Sequence, residues 1–164
     1  MQISHNRIIS NYRLFFFKAI LFYIFTLVPA YSNDLKIGSI TEIIGEVIAI
    51  TEEGDERILD NLDEIFLKDE ILIGESSSAT LQFDDNTTIV MKELTSLNVS
   101  EFENSGVKKT FQTKVGKGKI IIESGAIAKN SNGEMLIDLS NMSLGIRGTR
   151  FNASIKPNGN SEVA

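Results

Sequence analysis

The sequence predicts an all-β single domain of many short strands, solenoid-like or sandwich, behind a cleavable N-terminal signal helix. Three observations predict it. Residues 1–32 have the layout of an export signal. From Leu35 to Ile155, short apolar segments place apolar side chains at alternate positions. Between those segments Gly, Asn, Asp and Ser recur at close spacing. Short strands of period two with frequent turns belong to sandwiches, barrels and solenoids.

The signal comes first. Met1 to Lys18 carries Arg7, Arg13 and Lys18 and no acidic residue. An apolar run, Ala19 to Val28, follows; Pro29 ends it, and Ala30 and Ser32 supply small residues for cleavage after Ser32. Positive start, apolar middle and small-residue exit are the export order. A bilayer-spanning helix needs about 20 apolar residues, more than the run after Lys18 supplies. Retention as an anchor would require Leu14 to Phe17 to join the run while Lys18 snorkels. Cleavage is the simpler reading, and it leaves no stable membrane span.

Cleavage changes the chemistry. It removes three of the 16 basic residues and none of the 22 acids, so 13 basic residues remain and the net charge becomes −9. Nucleic-acid affinity rests mainly on cations against phosphate, which argues against a nucleic-acid partner. The same sign argues against anionic lipid. The single histidine, His5, leaves with the signal, and the chain has no cysteine and no tryptophan. Ser-His-Asp triads, cysteine nucleophiles, iron–sulfur clusters and Cys/His zinc sites are thereby excluded. No catalytic, cofactor-binding or metal-binding residue is assigned.

The elements follow in order. Gly45 to Ile50 and Gly118 to Ile122 read as buried strands that open at a glycine. Ala79 to Asp84, Leu97 to Ser100 and Phe151 to Ile155 alternate, which sends one set of side chains to a core and the other to water. Turn signals stand at Glu53-Gly54-Asp55, Asp84-Asp85-Asn86, Ser105-Gly106, Val115 to Gly118 and Ser131-Asn132-Gly133. Leu59 to Leu67 places Leu62, Ile65 and Phe66 at helical spacing, and reads as a short helix or as a loop leading into a strand at Ile71-Leu72-Ile73. The organisation expected is a signal at 1–32, a β domain at 33–155 and a polar tail at 156–164 that reads as truncated.

Charge is uneven. Glu52 to Glu75 holds ten acids against Arg57 and Lys68, and Lys108 to Lys119 holds five lysines and no acid. Two solvated faces are the simpler reading; a dipolar surface that orients a partner is the alternative. Asp84 and Asp85 are the obvious carboxylate pair, but adjacent strand residues point to opposite faces and would not flank one bond. With Asn86 they also lack the alternating acids and closing glutamate of a calcium loop. Ser105-Gly106-Val107-Lys108 matches a Ser-x-x-Lys dyad only formally, because that dyad needs a helix and this stretch reads as a turn.

One stretch is unusual: Ser143-Leu144-Gly145-Ile146-Arg147-Gly148-Thr149-Arg150-Phe151. Glycines bracketing an Ile-Arg pair in a strand-like run suggest a bulge or a close backbone approach. Arg147 reads as an arginine tying strands together, with recognition of a partner's carboxylate or backbone as the alternative.

Here the chain resembles the FecR domain family, periplasmic signalling domains named for the ferric-citrate regulator. Gly145, Ile146, Arg147, Gly148, Thr149 and Phe151 look like that family's closing signature. Gly45-Glu46-Val47 is similar to its opening strand. Lys68-Asp69-Glu70-Ile71 resembles its Gly-Asp-x-Ile step with lysine for glycine. Ser78 to Asn86 resembles its strand ending in an Asp-Gly turn, again without the glycine. Ser124-Gly125-Ala126 is similar to a later step. The likeness spans Ile37 to Ile155. It implies an all-β periplasmic module without enzymatic activity, in which Asp69 and the closing signature are structural or partner-binding. The family's best-known members are sigma-factor regulators with a cytoplasmic segment and one membrane span. Here only a signal precedes the domain.

The function expected is an exported, non-catalytic binding or signalling module, periplasmic or extracellular, that engages a protein or cell-envelope component without a cofactor. The alternatives are a structural or assembly domain of a larger envelope protein, and a carboxylate-based carbohydrate enzyme.

Overall fold

The structure, a computed structural model, describes residues 35–156 and 158–164. The signal read over 1–32 lies outside the described residues. The alternating segments form strands for the reason their pattern gives. β6 (Ser78–Phe83) buries Ala79, Leu81 and Phe83 and turns Thr80 and Gln82 away from the core. Leu97 and Val99 do the same on β8 (Ser96–Glu103), and Phe151, Ala153 and Ile155 on β12 (Arg150–Ile155).

The strands build one continuous sheet that curls back on itself, so that two halves share a core. Sheet I runs β4 (Glu64–Phe66), β1 (Lys36–Ile44), β6, β7 (Thr88–Met91), the second part of β9 (Lys109–Glu123), β12 and β13 (Ser161–Val163). Sheet II runs β3 (Glu56–Ile58), β2 (Val47–Ile50), β5 (Glu70–Ile73), β8, the first part of β9, β10 (Gly133–Leu139) and β11 (Met142–Ile146). All pairings are antiparallel except β9 with β10, which are parallel and joined through the single-turn helix α1 (Ala126–Lys129). The all-β class is as the sequence predicts, in a sandwich-like arrangement.

β9 makes the curl. Its residues up to Lys117 pair with β8, and from Gly118 onward they pair with β7 and β12. Gly118 has φ +88°, and a Cβ there would lie 2.3 Å from Thr95 Oγ1, so only glycine fits the bend. Thr95 Oγ1 in turn accepts the Lys119 N–H at 3.1 Å. The turn signal at Val115 to Gly118 is therefore a bend inside a strand, not a hairpin loop. Across the fold, Phe83 of sheet I packs on Phe111 of sheet II with ring centroids 4.9 Å apart. Phe102 completes the cluster, 5.4 Å from Phe111 in an edge-to-face arrangement. Such pairs are worth about 0.5–1.5 kcal/mol beyond the area they bury.

Two expectations need correction. The segment Leu59 to Leu67 holds no helix. Leu59 and Ile65 are buried, but Leu62 between them is 79% exposed at φ 74°, in the turn that leads into β4. Residues 156–164 also hold more than a polar tail: Ser161 to Val163 form β13 and pair with β12.

Candidate functional site

Of the three carboxylates singled out in the sequence, Asp69 and Asp85 are turned inward and Asp84 is exposed. Asp69 follows β4 and is buried. Its Oδ2 accepts the Phe66 N–H at 3.1 Å and a hydrogen bond from Arg57 Nη2. Arg57 Nη1 donates to the Glu64 carbonyl at 3.1 Å, and the guanidinium lies 5.0 Å from the centre of the Phe66 ring, within cation–π reach. Arg57 is on the edge of sheet II and Glu64 on the edge of sheet I, so this pair closes one open side of the sandwich. Next door, Asn98 Nδ2 donates to the Lys68 carbonyl at 2.8 Å.

Asp85 is 1% exposed, whereas Asp84 beside it is exposed. Asp85 Oδ1 accepts the Thr87 N–H at 2.9 Å. Its Oδ2 accepts the Thr87 hydroxyl at 2.9 Å and the Ile127 N–H at 3.2 Å. The Asp85 carbonyl takes the Ala126 N–H at 2.7 Å, and Thr87 Oγ1 takes the Gly125 N–H at 2.9 Å. The β6–β7 turn is thus riveted to the first turn of α1, some forty residues on. A Cβ on Gly125 would lie 2.2 Å from the Asp85 carbonyl oxygen. Sequence reading located the turn but missed the rivet, because its partners are remote in the chain. A carboxylate bonded this way to three internal donors is not free to bind calcium or to flank a sugar. Among the described residues no group of three or more acids could hold a metal ion. Ser105 to Lys108 form a bent loop, as the turn reading requires.

The run from Leu144 to Phe151 is divided among β11, a turn at 147–149 and β12. Ile146 and Phe151 enter the core, paired in register with Met135 and Ile122. The Thr149 backbone is clamped by buried Ser124, whose Oγ accepts the Thr149 N–H at 2.9 Å and donates to its carbonyl at 3.0 Å. Gly148 turns the chain at φ 63°. Arg147 is exposed, and its side chain makes no hydrogen bond or ion pair among the described residues. No strand tie from Arg147 is present among the described residues. Nearby, Asp138 on β10 binds the Ser143 hydroxyl of β11 and the Gln112 amide of β9. Those hydrogen bonds, Ser143's first, hold its carboxyl below the usual range. The structure does not bring Asp69 to this run: β8, β9 and β10 separate β5 from β11.

A family model described as FecR protein matches residues 69–164. The chain belongs to the FecR family. The FecR match opens at Asp69 and contains the Asp85 rivet, Gly125 and the whole closing signature. Gly45-Glu46-Val47 lies ahead of it. A solved structure described as "Cell surface anchoring domain" has 36% identity and a TM-score of 0.36, over 37% of this chain and 80% of its own. No curated protein matches.

The two positions where the resemblance lacks its glycine are informative. Lys68 has φ 72° and Asn86 has φ 65°. Both stand in the left-handed region that favours glycine. Non-glycine residues of this FecR chain thus occupy left-handed backbone at both turns. Among the described residues no helix is long and apolar enough to cross a membrane.

Proposed function

We propose that this FecR-family chain is an exported, non-catalytic binding module of the cell envelope, and that its partner is a protein or another envelope component. One observation carries the reading. Of the carboxylate pair Asp84 and Asp85, Asp85 is spent on internal hydrogen bonds and Asp84 points away from it to solvent, while Arg147 of the closing signature faces solvent without a partner among the described residues. Buried charged groups bonded internally are structural; an exposed arginine in a family signature is free to meet another molecule.

Two measurements test it. Fractionation of cells expressing the tagged full-length chain should find it processed and outside the cytoplasm; an unprocessed cytoplasmic form would refute export. Cross-linking of the domain in an envelope extract, followed by mass spectrometry, should return one dominant partner that an unrelated acidic β protein does not capture. No enriched partner would remove the binding reading.

A further inference from the structure

A sheet that does not close has edges, and their unpaired N–H and C=O groups are templates for another strand. Among the described residues four edges remain: β4 and β13 on sheet I, β3 and β11 on sheet II. Three of them are blunted. β3, β4 and β13 are three residues each and carry Glu56 with Arg57, Glu64, and Glu162 respectively. Short length and charge are two ordinary defences against edge pairing.

β11 has neither defence. It is five residues long, Met142-Ser143-Leu144-Gly145-Ile146, with no charge and no proline. It pairs with β10 on one side only. Nothing lies within 4 Å of the position a Gly145 Cβ would occupy, so packing inside the chain gives no reason for a glycine. A backbone lying close alongside would give one. Directly after the strand comes Arg147. Of the three described arginines Arg57 is committed to Asp69, whereas Arg147 and Arg150 have no side-chain hydrogen bond or ion pair among the described residues. Lys129, whose Cγ is 3.4 Å from the position of a Gly148 Cβ, adds a second cation near Arg147.

We infer that the β11 edge receives an extended segment of a partner protein by strand addition, with a carboxylate of that segment on Arg147. The inference rests on the binding-module reading and names the surface it uses. Main-chain hydrogen bonds supply affinity in this mode. Arg147 supplies register, since its planar fork matches a carboxylate. A second copy is a poorer occupant. An antiparallel pair of β11 strands centred on Leu144 sets Arg147 opposite Asn141 and leaves it without a carboxylate.

The test uses the domain from residue 33 and two capped peptides of alternating threonine and valine, one ending in aspartate and one in lysine. NMR titration and amide exchange read the contact. The aspartate peptide is expected to protect the amides of residues 142–146 and to bind roughly tenfold more tightly than the lysine peptide. Arg147→Glu inverts that preference. Gly145→Lys, for which the structure leaves room, abolishes protection while the circular dichroism spectrum stays that of the wild type. Protection at β3, β4 or β13, equal binding of both peptides, no binding of either, or concentration-dependent self-pairing through β11 would each overturn the inference. Cross-linking in the envelope extract separates it from the broader reading. If Gly145→Lys keeps the wild-type partner, the module stands and the β11 assignment falls. If the wild type captures no partner, the module itself falls.

Discussion

The Asp85 rivet yields the most demanding prediction. Replacing Asp85 by alanine leaves the N–H groups of Thr87 and Ile127 buried without their acceptor. A buried donor stripped of its partner costs about 1–3 kcal/mol, and a hydrogen bond to a charged group contributes about 1.5–3 kcal/mol. Two such backbone donors put the loss near 4 kcal/mol. That is a large share of the roughly 5–15 kcal/mol that holds a domain together. Asp85→Asn preserves shape and one acceptor for Thr87, but sets an amide NH₂ against the Ile127 N–H; it should cost about half as much. Asp84→Ala is the neighbour control. Its side chain is exposed, so it should stay within about 0.5 kcal/mol of the wild type.

The assay is urea unfolding of residues 33–164 followed by circular dichroism. Fluorescence is a poor probe here, because Tyr12, Tyr23 and Tyr31 all precede residue 33 and the chain has no tryptophan. With a urea slope of about 2 kcal/mol per molar, the Asp85→Ala midpoint should fall by roughly 2 M. An Asp85→Ala loss below about 1 kcal/mol, or an equal loss at Asp84, would refute the rivet. Gly125→Ala attacks the same joint from the other side. Its Cβ would stand 2.4 Å from the Thr87 backbone nitrogen, so either α1 or the β6–β7 turn must give way. It should therefore destabilise at least as much as Asp85→Asn in the same melts.

Three further outcomes are expected. Phe111→Ala should cost about 3–5 kcal/mol in urea unfolding, since it empties the fully buried centre of the Phe83–Phe102–Phe111 cluster. Leu62→Gly should raise stability by about 0.5–1 kcal/mol in thermal melts, because it relieves the left-handed strain at an exposed residue that buries little. The domain should lose stability in acid. Glu103 is held below its ordinary pKa by the Ser105 hydroxyl and by the N–H groups of Ser105 and Gly106, and Asp138 by Ser143 and Gln112. A depressed folded-state pKa gives stability that is present above the ordinary carboxylate range and is lost as pH falls through the folded value. Asp138→Asn should flatten part of that acid limb in melts taken from pH 6 downward.

How much was legible depends on how far each signal reaches along the chain. Alternation is local, so Ala79-Leu81-Phe83 and Phe151-Ala153-Ile155 declared their buried faces without help from the rest of the molecule. Leu59 to Leu67 misled for the same reason. Leu59 and Ile65 are buried in the core by different segments, and the apparent helical spacing arose because Leu62 happens to lie between them while facing water. The bend in β9, the parallel pairing with β10 and the rivet between Asp85 and Ile127 are long-range events, and no local period encodes them. Arg147 is the opposite case. Its residue type asked for a partner, and the fold supplies none among its own described groups.

Lys68 and Asn86 show why a resemblance can survive the loss of two of its glycines. Both turns need a left-handed residue, which costs a non-glycine side chain about 1–2 kcal/mol. Asparagine tolerates that region better than most residues, and the Asn86 N–H donates to the Phe83 carbonyl at 2.9 Å. Lysine lacks that tolerance. Instead the Lys68 N–H donates to the Val99 carbonyl at 2.9 Å, its carbonyl accepts from Asn98, and its amine reaches Glu52. The exposed ion pair contributes little, about 0.2–1 kcal/mol, so the two backbone bonds hold the turn. The Asp69 junction then over-determines the backbone next to it, through the Phe66 N–H and Arg57. A left-handed lysine persists because its neighbours leave the chain no other path. The glycine is thus dispensable in this chain while the aspartate is not, and Lys68→Gly should leave the urea midpoint almost unchanged where Asp69→Ala lowers it steeply.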